Sequence, residues 1–410
     1  MLSVLINAYA CGPEMGSEPG MAWNWIKTLA NHCKVFVISE GEWKDEIDTA
    51  LRKLPQGRNI KFFYNPVSEK IRKMCWDQGD WRFYYFYNNW QKKSLTIAYE
   101  IIKENQIDIV HQLNMIGFRE PGYLWKIKGK PFIWGPVGGF GTIPFKFLIE
   151  FPLKDAIFYF IKNNLNILNL MAIRIRKVAR RADLILCATK EGQNILSEKF
   201  NISPVLLNET GSLVAPSLLN KEQEMRDTFK ILWVGRFVAR KALKLALEVI
   251  SETQSSIKNI EFHIVGSGQG ESALKEYSKD LGIGNNCKWH GTKKRNEVLE
   301  LMNDSDILLF TSLDEGTPHV VLESISMGLP VLCHDICGQS TVIDETCGIK
   351  LALVNPKYSI KMFSKSIIKL YNDRVLLSNI SSGAIRRAEK LSWEEKAKQL
   401  VDLYQKVLEK

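Results

Sequence analysis

The feature that most constrains the fold is an alternation, repeated twice along the chain, of short apolar runs with longer stretches of helical periodicity. This alternation is typical of βα units, which build a parallel sheet with helices on both faces. At 410 residues the chain exceeds one ordinary hydrophobic core, so two doubly wound α/β domains are expected. The predicted strands are 2–8, 34–40, 60–66, 108–114, 130–136 and 183–189 in the first half, and 229–235, 261–268, 287–291, 306–312 and 330–335 in the second.

The predicted domain boundary lies in the polar stretch 208–228, which has no sustained apolar period. We therefore expect an N-terminal domain over 1–208 and a C-terminal domain over 209–391. Residues 392–410 form a predicted amphipathic helix, which begins with a capping box of Ser392 and Glu395 and packs back on the N-terminal domain. The carboxyl ends of the strands of both sheets would then face an interdomain cleft, where such sheets bind ligands.

The formal charge of +10 is compatible with nucleic acid, an anionic membrane surface or phosphorylated small molecules as partners. The sequence has no zinc-finger spacing, no RNP-like aromatic motif and no tract of five or more basic residues. We therefore expect no nucleic-acid partner. The first strand directly follows Met1 without a basic leader, which predicts a cytoplasmic protein.

The eight cysteines are dispersed, and several lie in strand-like runs, a pattern that favours reduced, buried thiols. Cys333, His334 and Cys337 come nearest to a metal-binding pattern, but no second cysteine pair follows at zinc spacing. Asp304 and Asp306 form a D-x-D pattern that we interpret as a helix-to-strand junction, because no further carboxylates accompany it. No metal site is predicted.

The segment DEGTPHVVLESISMGLPV, residues 314–331, predicts a short helix over about 318–327. Thr317 is a suitable N-cap, Pro318 suits the first helical position, and Gly328 with Pro330 provides the stop. The backbone N–H groups at this helix start would favour an anion such as phosphate; they are those of His319, Val320 and Val321.

Two carboxylates flank this predicted phosphate site. Glu315 lies in the loop before the helix, and Glu323 lies about one and a half turns inside it. Carboxylates accept hydrogen bonds from pairs of hydroxyl groups, so this arrangement suits a sugar, a diphosphate and a ribose.

Cations and glycines follow other predicted strands. Arg236 and Lys241 in GRFVARK follow the strand at 229–235 and would neutralise a diphosphate. GSGQG, which begins at Gly266, matches a dinucleotide fingerprint only in part, since residue 271 is Glu. Gly16 lies in a second Gly-rich turn after the first strand, and His111 is near the end of DIVHQLN, where we predict that it faces the site.

The motifs VGRFVARK, FHIVGSG and EGTPHVVLESISMGLPV together resemble those of the retaining glycosyltransferases of family 4. The resemblance covers nearly all of the second half, and the first half supports it more weakly. It implies a GT-B fold of two facing Rossmann-like domains and a UDP- or GDP-linked sugar as donor, with no cofactor and no metal.

The resemblance also implies roles for individual residues. Glu323 would bind the ribose, Glu315 a hydroxyl of the transferred sugar, and Arg236 with Lys241 the diphosphate. His111 would contact the site from the first domain, although the second His of the His-x-His pair found in many relatives is Leu113 here. The remaining substrate contacts would come from the backbone of Gly16, Gly266, Lys293, Gly316, Thr317, Pro318, His319 and Val320.

Two stretches of the first half, 72–93 and 144–181, are rich in aromatic and basic residues. Such stretches are either core helices with solvated charges or segments that lie on an anionic leaflet. They motivate the hypothesis of peripheral contact with the inner face of the cytoplasmic membrane and of a saccharide or lipid-linked saccharide acceptor. Two alternatives stay open: a nucleotide-sugar epimerase of similar two-lobe fold, and a basic binding module without enzymatic activity.

Overall fold

The computed structural model describes residues 1–76, 80–213 and 228–410, in two compact units. Unit 1 comprises Met1–Phe140, Asn166–Thr210 and Trp393–Lys410, and unit 2 comprises Gly141–Leu165 and Gly211–Ser392. Most of the predicted linker 208–228 lies outside the described residues, as do residues 77–79 of the aromatic stretch.

The described helices accompany two sheets, and most of them bury an apolar face, as the alternating pattern predicts. They are α1 Ser17–Leu29, α2 Lys44–Lys53, α3 Glu69–Trp76, α4 Arg82–Glu104, α5 Phe145–Leu148, α6 Leu153–Leu170, α7 Ile173–Arg181, α8 Lys190–Phe200, α9 Leu243–Gln254, α10 Glu271–Asp280, α11 Arg295–Asn303, α12 His319–Ser326, α13 Cys337–Val342, α14 Pro356–Asn372, α15 Arg374–Lys390 and α16 Trp393–Leu408. Among the described helices, none combines the length and apolar character needed to cross a membrane.

Unit 1 contains a parallel sheet. Its described strands are β1 Leu2–Ala8, β2 Cys33–Ser39, β3 Ile60–Tyr64, β4 Ile109–Asn114, β5 Phe132–Val137, β6 Leu184–Cys187 and β7 Val205–Leu206. They run in the order β3-β2-β1-β4-β5-β6-β7. The short edge strand β7 was not predicted from the sequence, because two residues give no detectable pattern.

Unit 2 contains a second parallel sheet. Its described strands are β8 Phe229–Val234, β9 Ile260–Val265, β10 Cys287–Gly291, β11 Ile307–Phe310, β12 Val331–His334 and β13 Gly348–Leu351, in the order β10-β9-β8-β11-β12-β13. The strand order reverses between β8 and β11, and this is the point at which open α/β sheets bind ligands at their carboxyl ends. The edge strand β13 was also missed by the sequence analysis.

Both sheets are covered on both faces, which explains why their strands read as continuous apolar runs. In β1, Val4 and Ile6 belong to one buried cluster and Leu5 to the cluster on the opposite face. In β8, Ile231 and Leu232 divide in the same way. Successive residues of a strand point to opposite faces, so these runs are buried on both faces of the sheet.

The C-terminal helix α16 is part of unit 1, where it packs on α1. The indole rings of Trp393 and Trp25 meet edge to face with centroids 5.5 Å apart. The Lys396 side chain, only 3% exposed, donates to the carbonyl of Asn208 at 2.9 Å.

The predicted N-terminal domain was one continuous segment over 1–208, and this description is wrong for residues 141–165. These residues belong to unit 2, where Ile143, Phe147 and Leu148 form a buried cluster with Leu245 and Leu313. Sequence periodicity could not assign this segment to a domain, because the pattern of an apolar helix does not indicate which of two sheets the helix packs against.

Candidate functional site: a carboxylate and three cations at the ends of β8 and β11

The loop after β8 is fixed by close backbone contacts with the GSG turn after β9. Gly266 has a φ of +135°, and a Cβ atom there would lie 1.8 Å from the carbonyl oxygen of Gly235. A Cβ atom on Gly268 would lie 2.6 Å from the carbonyl oxygen of Phe237. These glycines therefore permit two loops at the carboxyl end of the sheet to touch.

Glu315, in the loop after β11, binds two cations of the loop after β8. Its Oε1 atom lies 2.6 Å from Nζ of Lys241 and 2.5 Å from Nη1 of Arg240. The hydroxyl of Ser312 donates to the same oxygen at 2.7 Å. Because β8 and β11 are adjacent at the reversal of strand order, these contacts lie where the fold favours ligand binding.

The Glu315 carboxylate is stabilised in its ionised form. Burial raises its pKa, but Lys241 and Arg240 together more than offset this effect, so the pKa lies below its ordinary value. For Lys241, burial lowers the pKa, the contact with Glu315 raises it, and the neighbouring Arg240 and Arg236 lower it further. Two cations thus bind one carboxylate while Arg236 acts on Lys241, and the surplus of positive charge favours a bound anion.

Arg240 was missed by the sequence analysis, which singled out Arg236 and Lys241. The Arg240 guanidinium also donates to the backbone carbonyl of Asp314 at 2.7 Å, so it holds the loop as well as its carboxylate. Arg236 is exposed, whereas Arg240 and Lys241 are largely covered. GRFVARK contains Arg240 besides Arg236 and Lys241, but spacing alone did not show which of these three cations contacts Glu315.

The helix after this loop, α12, begins one residue later than predicted. Pro318 occupies the N-cap position and Thr317 lies before it, buried, so Thr317 is not the N-cap. The Val321 N–H donates to the carbonyl of Pro318 at 3.1 Å and is not available to a phosphate. His319 is exposed and Val320 half-buried at the helix start. The predicted anion site therefore loses one of its three backbone N–H groups, that of Val321.

The loop from Gly316 to Pro318 is also held from α13. The Gly338 N–H donates to the carbonyl of Gly316 at 3.0 Å, and a Cβ atom on Gly338 would lie 2.2 Å from that oxygen. The predicted helix stop is present, since Gly328 has a φ of +65°. The backbone that was predicted to hold phosphate is therefore held at Gly316 by its contact with Gly338.

Glu323, on α12, forms an ion pair that the sequence analysis did not predict. One of its carboxylate oxygens accepts from Nε of Arg295, the first residue of α11, at 2.6 Å. Lys293, just before α11, is 33% exposed and pairs with Glu297 at 2.8 Å. A ligand hydroxyl at Glu323 would share the carboxylate with Arg295 or displace it.

The two predicted site residues of unit 1 occupy different environments. Gly16 is exposed and directly precedes α1, with no atom within 4 Å of an added Cβ. His111 has no exposed surface: Nε2–H donates to the carbonyl of Gly135 at 2.5 Å, and Nδ1 lies 2.6 Å from the Tyr404 hydroxyl. Burial lowers the pKa of His111 to about 4, so the ring is neutral at pH 7.

The prediction that His111 faces an open site is therefore wrong in this structure, since the side chain is fully buried against Tyr404 of α16. A different ionisable residue of unit 1 lies beside Gly16 in the sequence. Glu18 accepts from the Ile116 N–H at 3.2 Å through one oxygen, while its other oxygen is buried without a hydrogen-bond partner. Burial raises the pKa of Glu18 to about 7.

The residues considered for a metal have structural contacts. Asp304 pairs with the ammonium of Lys230 at 2.7 Å, and Asp306 accepts from the Lys230 backbone N–H at 2.8 Å. These bonds tie the end of α11 to β8, as expected of a helix-to-strand junction. All of the cysteines except Cys75 are buried.

The two Rossmann-like units, with an anion-favouring loop pair at the strand-order reversal of the second, define the architecture of GT-B glycosyltransferases. Residues 216–387 match the family model of glycosyl transferases group 1. The chain is 32% identical over 124 residues to the lipopolysaccharide glucosyltransferase WaaG of Escherichia coli. That match covers 30% of this chain and 32% of the relative.

Solved structures of low sequence identity share the fold over nearly the whole chain. The apo form of the lipopolysaccharide outer core galactosyltransferase WaaB has a TM-score of 0.65 at 16% identity, with 98% of this chain and 99% of that chain covered. Anabaena HepE in complex with UDP has a TM-score of 0.62 at 14% identity, with 99% and 100% covered. The epimerase alternative receives no support from these comparisons.

Proposed function

We propose that the chain is a retaining glycosyltransferase of family 4 that transfers a sugar from a nucleotide diphosphate sugar to a saccharide or lipid-linked saccharide. The observation that carries this proposal is Glu315 held between Lys241 and Arg240 at the adjoining ends of β8 and β11. The match of residues 216–387 to the family model of glycosyl transferases group 1 supports it independently.

In this proposal the cations act on the leaving diphosphate. Arg236, Arg240 and Lys241 stabilise the negative charge that develops as the bond to the sugar breaks, and the backbone from Gly316 to Val320 adds N–H donors. Preorganised charges of this kind contribute a few kcal/mol each to transition-state stabilisation. They would perform the role of a metal ion, which is why we propose a metal-independent reaction.

The carboxylates recognise hydroxyl groups of the donor. Glu315 stays ionised because of its two cations and accepts from a hydroxyl of the transferred sugar. Glu323 binds the ribose and exchanges its contact with Arg295 when the nucleotide arrives. The leaving phosphate accepts the proton of the acceptor hydroxyl on the same face of the sugar, so that the anomeric configuration is retained.

We further propose that the enzyme works in bacterial cell-surface polysaccharide synthesis, at the cytoplasmic side of the membrane. Named relatives in lipopolysaccharide synthesis support this place. The donor base is proposed as uracil, with guanine as the alternative, because HepE was solved with UDP.

The test is a panel of UDP- and GDP-linked sugars, each incubated with and without saccharide and lipid-linked saccharide acceptors. Release of nucleoside diphosphate that depends on the acceptor, unaffected by a chelator, is the expected result, with retained configuration in the NMR spectrum of the product. A Lys241→Ala variant should lose this release, while Lys244→Ala, an exposed neighbour in the chain, should keep it. Donor turnover without any acceptor, or full activity of Lys241→Ala, would refute the proposal.

A further inference from the structure

The helix α6 presents its apolar face outward. In its unit 2 portion, the outer face is formed by Leu153, Ile157, Phe158, Phe160, Ile161 and Leu165, whose exposed fractions range from 46 to 77%. Four of these residues are spaced by four positions and form one stripe along the helix. Soluble helices normally direct such a stripe toward the core.

The opposite face of α6 contacts unit 2 through polar residues and through the partly buried ring of Tyr159. Lys162 forms an ion pair with Asp314, the residue before Glu315. The Asn163 amide exchanges two hydrogen bonds with the backbone of Ile143, at 2.8 and 3.3 Å. The orientation of α6 is thus fixed by polar contacts, and the helix cannot turn its apolar stripe inward without breaking them.

The apolar surface extends beyond the helix. Phe145 and Ile149, just before α6, are 68% and 65% exposed. Beside α6 lies a cavity of about 490 Å³, whose apolar lining includes Phe151, Phe158 and Leu274. A group of large exposed apolar residues on one segment of the chain marks an interaction site.

The charges that accompany this surface in the sequence favour an anionic partner. Within the segment, the exposed Lys146 and Lys154 are balanced by Glu150 and Asp155, so the surplus of positive charge comes from α7. This helix begins three residues after α6 ends and contains five basic residues and no acidic one in the sequence IRIRKVARR. Arg176, Lys177 and Arg180 of α7 are exposed. A helix with an outward apolar face and flanking basic residues lies in the plane of an anionic leaflet.

We propose that the outer face of α6, together with Phe145 and Ile149, inserts into the interface of an anionic lipid bilayer. This inference rests on one part of the proposed function, the location at the membrane, and assigns the membrane contact to α6. The occupant is the lipid surface and not a second copy of the chain, because a basic surface repels its own copy while it attracts anionic headgroups.

The experiment is flotation of the full chain with vesicles of phosphatidylcholine alone or mixed with phosphatidylglycerol, at low and high salt. We expect the wild type to float with the anionic vesicles at low salt, and to partition at least about tenfold less to phosphatidylcholine alone. The double variant Ile157→Glu, Ile161→Glu should lose flotation by about tenfold or more.

The matched control is Val375→Glu, the same apolar-to-acid change at a position that is 72% exposed on α15. It should float like the wild type, and an unchanged melting temperature would show that all variants fold. Absence of wild-type flotation, or equal loss in the control, would overturn the inference. So would dimers of the wild type that become monomers in the double variant without any vesicle binding.

Failure of the proposed function is distinguishable from failure of this inference. Vesicle binding by a protein that transfers no sugar would refute the function alone. Transfer to a soluble saccharide by a protein that binds no vesicles would refute the inference alone.

Discussion

Replacing Lys241 by Met tests whether the buried ion pair with Glu315 organises the site. Methionine keeps an unbranched apolar chain over the Phe310 ring, which the Lys241 ammonium overlies at 5.2 Å, but it removes the charge. Both partners are 13% exposed, so solvent screens the lost contact only weakly. Breaking a buried ion pair costs about 3–5 kcal/mol when the remaining charge has no other partner.

Arg240 keeps its contact with Glu315 in this variant, so we expect the smaller loss of about 1–3 kcal/mol in the free energy of unfolding. For a unit of this size, that corresponds to a melting temperature lower by about 3–10 °C. Nucleoside diphosphate release should fall by about 10²–10³-fold, since one charge opposite the leaving group is lost.

The effect of Lys241→Met on the melting temperature should depend on pH in a defined direction. In the wild type, the pKa of Glu315 lies below its ordinary value, so the contact stabilises the fold above about pH 4.5 and the gain is lost as pH falls through the lowered pKa. Without Lys241, part of the effect that opposes burial disappears and the pKa of Glu315 rises. The difference in melting temperature between wild type and variant should therefore be largest near neutral pH and shrink below about pH 4.5.

The measurement is differential scanning fluorimetry from pH 4 to 8, alongside steady-state kinetics. Lys241→Arg keeps the charge and should recover most of the stability. Lys244→Met removes a cation that is 46% exposed and should change the melting temperature little. Equal melting temperatures of the wild type and Lys241→Met from pH 5 to 8 would refute the reasoning about Glu315.

Three further variants examine other parts of the structure. His111→Gln should lower the free energy of unfolding by about 1–3 kcal/mol at pH 7 but leave the turnover of folded enzyme unchanged. Because the buried ring has a pKa of about 4, the free energy of unfolding of the wild type should fall by up to about 1.4 kcal/mol per pH unit between pH 6.5 and 4. A urea titration should show that this pH dependence is weaker in the variant. Gly266→Ala should abolish nucleotide binding or folding, whereas Gly270→Ala, at a φ of +84° in open space, should cost only about 1 kcal/mol in thermal unfolding; equal effects would contradict the close backbone contact. Lys162→Met, which frees Asp314 next to Glu315, should raise the donor KM by about tenfold, and an unchanged KM would show that this ion pair does not hold the loop.

The architecture could be predicted from the sequence because parallel strands covered on both faces are continuous apolar runs. The long runs at β1 and β8 follow this rule. The edge strands β7 and β13 have two and four residues, too few for a periodic signal. The position of residues 141–165 in unit 2 depends on tertiary contacts such as the packing of Phe147 against Leu313, which no local pattern encodes.

The candidate site was predictable in its residue types but only partly in its pairings. Glu315, Lys241 and the glycines at strand ends follow from turn chemistry and from the rule that α/β sheets bind ligands at these ends. Arg240 and Arg295 were not identified, since the sequence does not show which surface cation reaches a given carboxylate. His111 was misjudged because the sequence does not show whether a histidine near the end of a strand faces a ligand site or a covering helix, and His111 lies within the fully buried strand β4.

The polarity of α6 is the reverse of that of an ordinary surface helix, and this links its contact with the charged loop to its exposed apolar stripe. A helix that covers a charged loop must direct polar side chains inward, and Lys162 does so by pairing with Asp314. The apolar stripe of the same helix is then exposed to solvent, and contact of its Ile, Leu and Phe side chains with water is energetically unfavourable. A second environment that accepts apolar side chains removes this penalty, so the polar inner face and the proposed lipid contact are two consequences of where one helix lies.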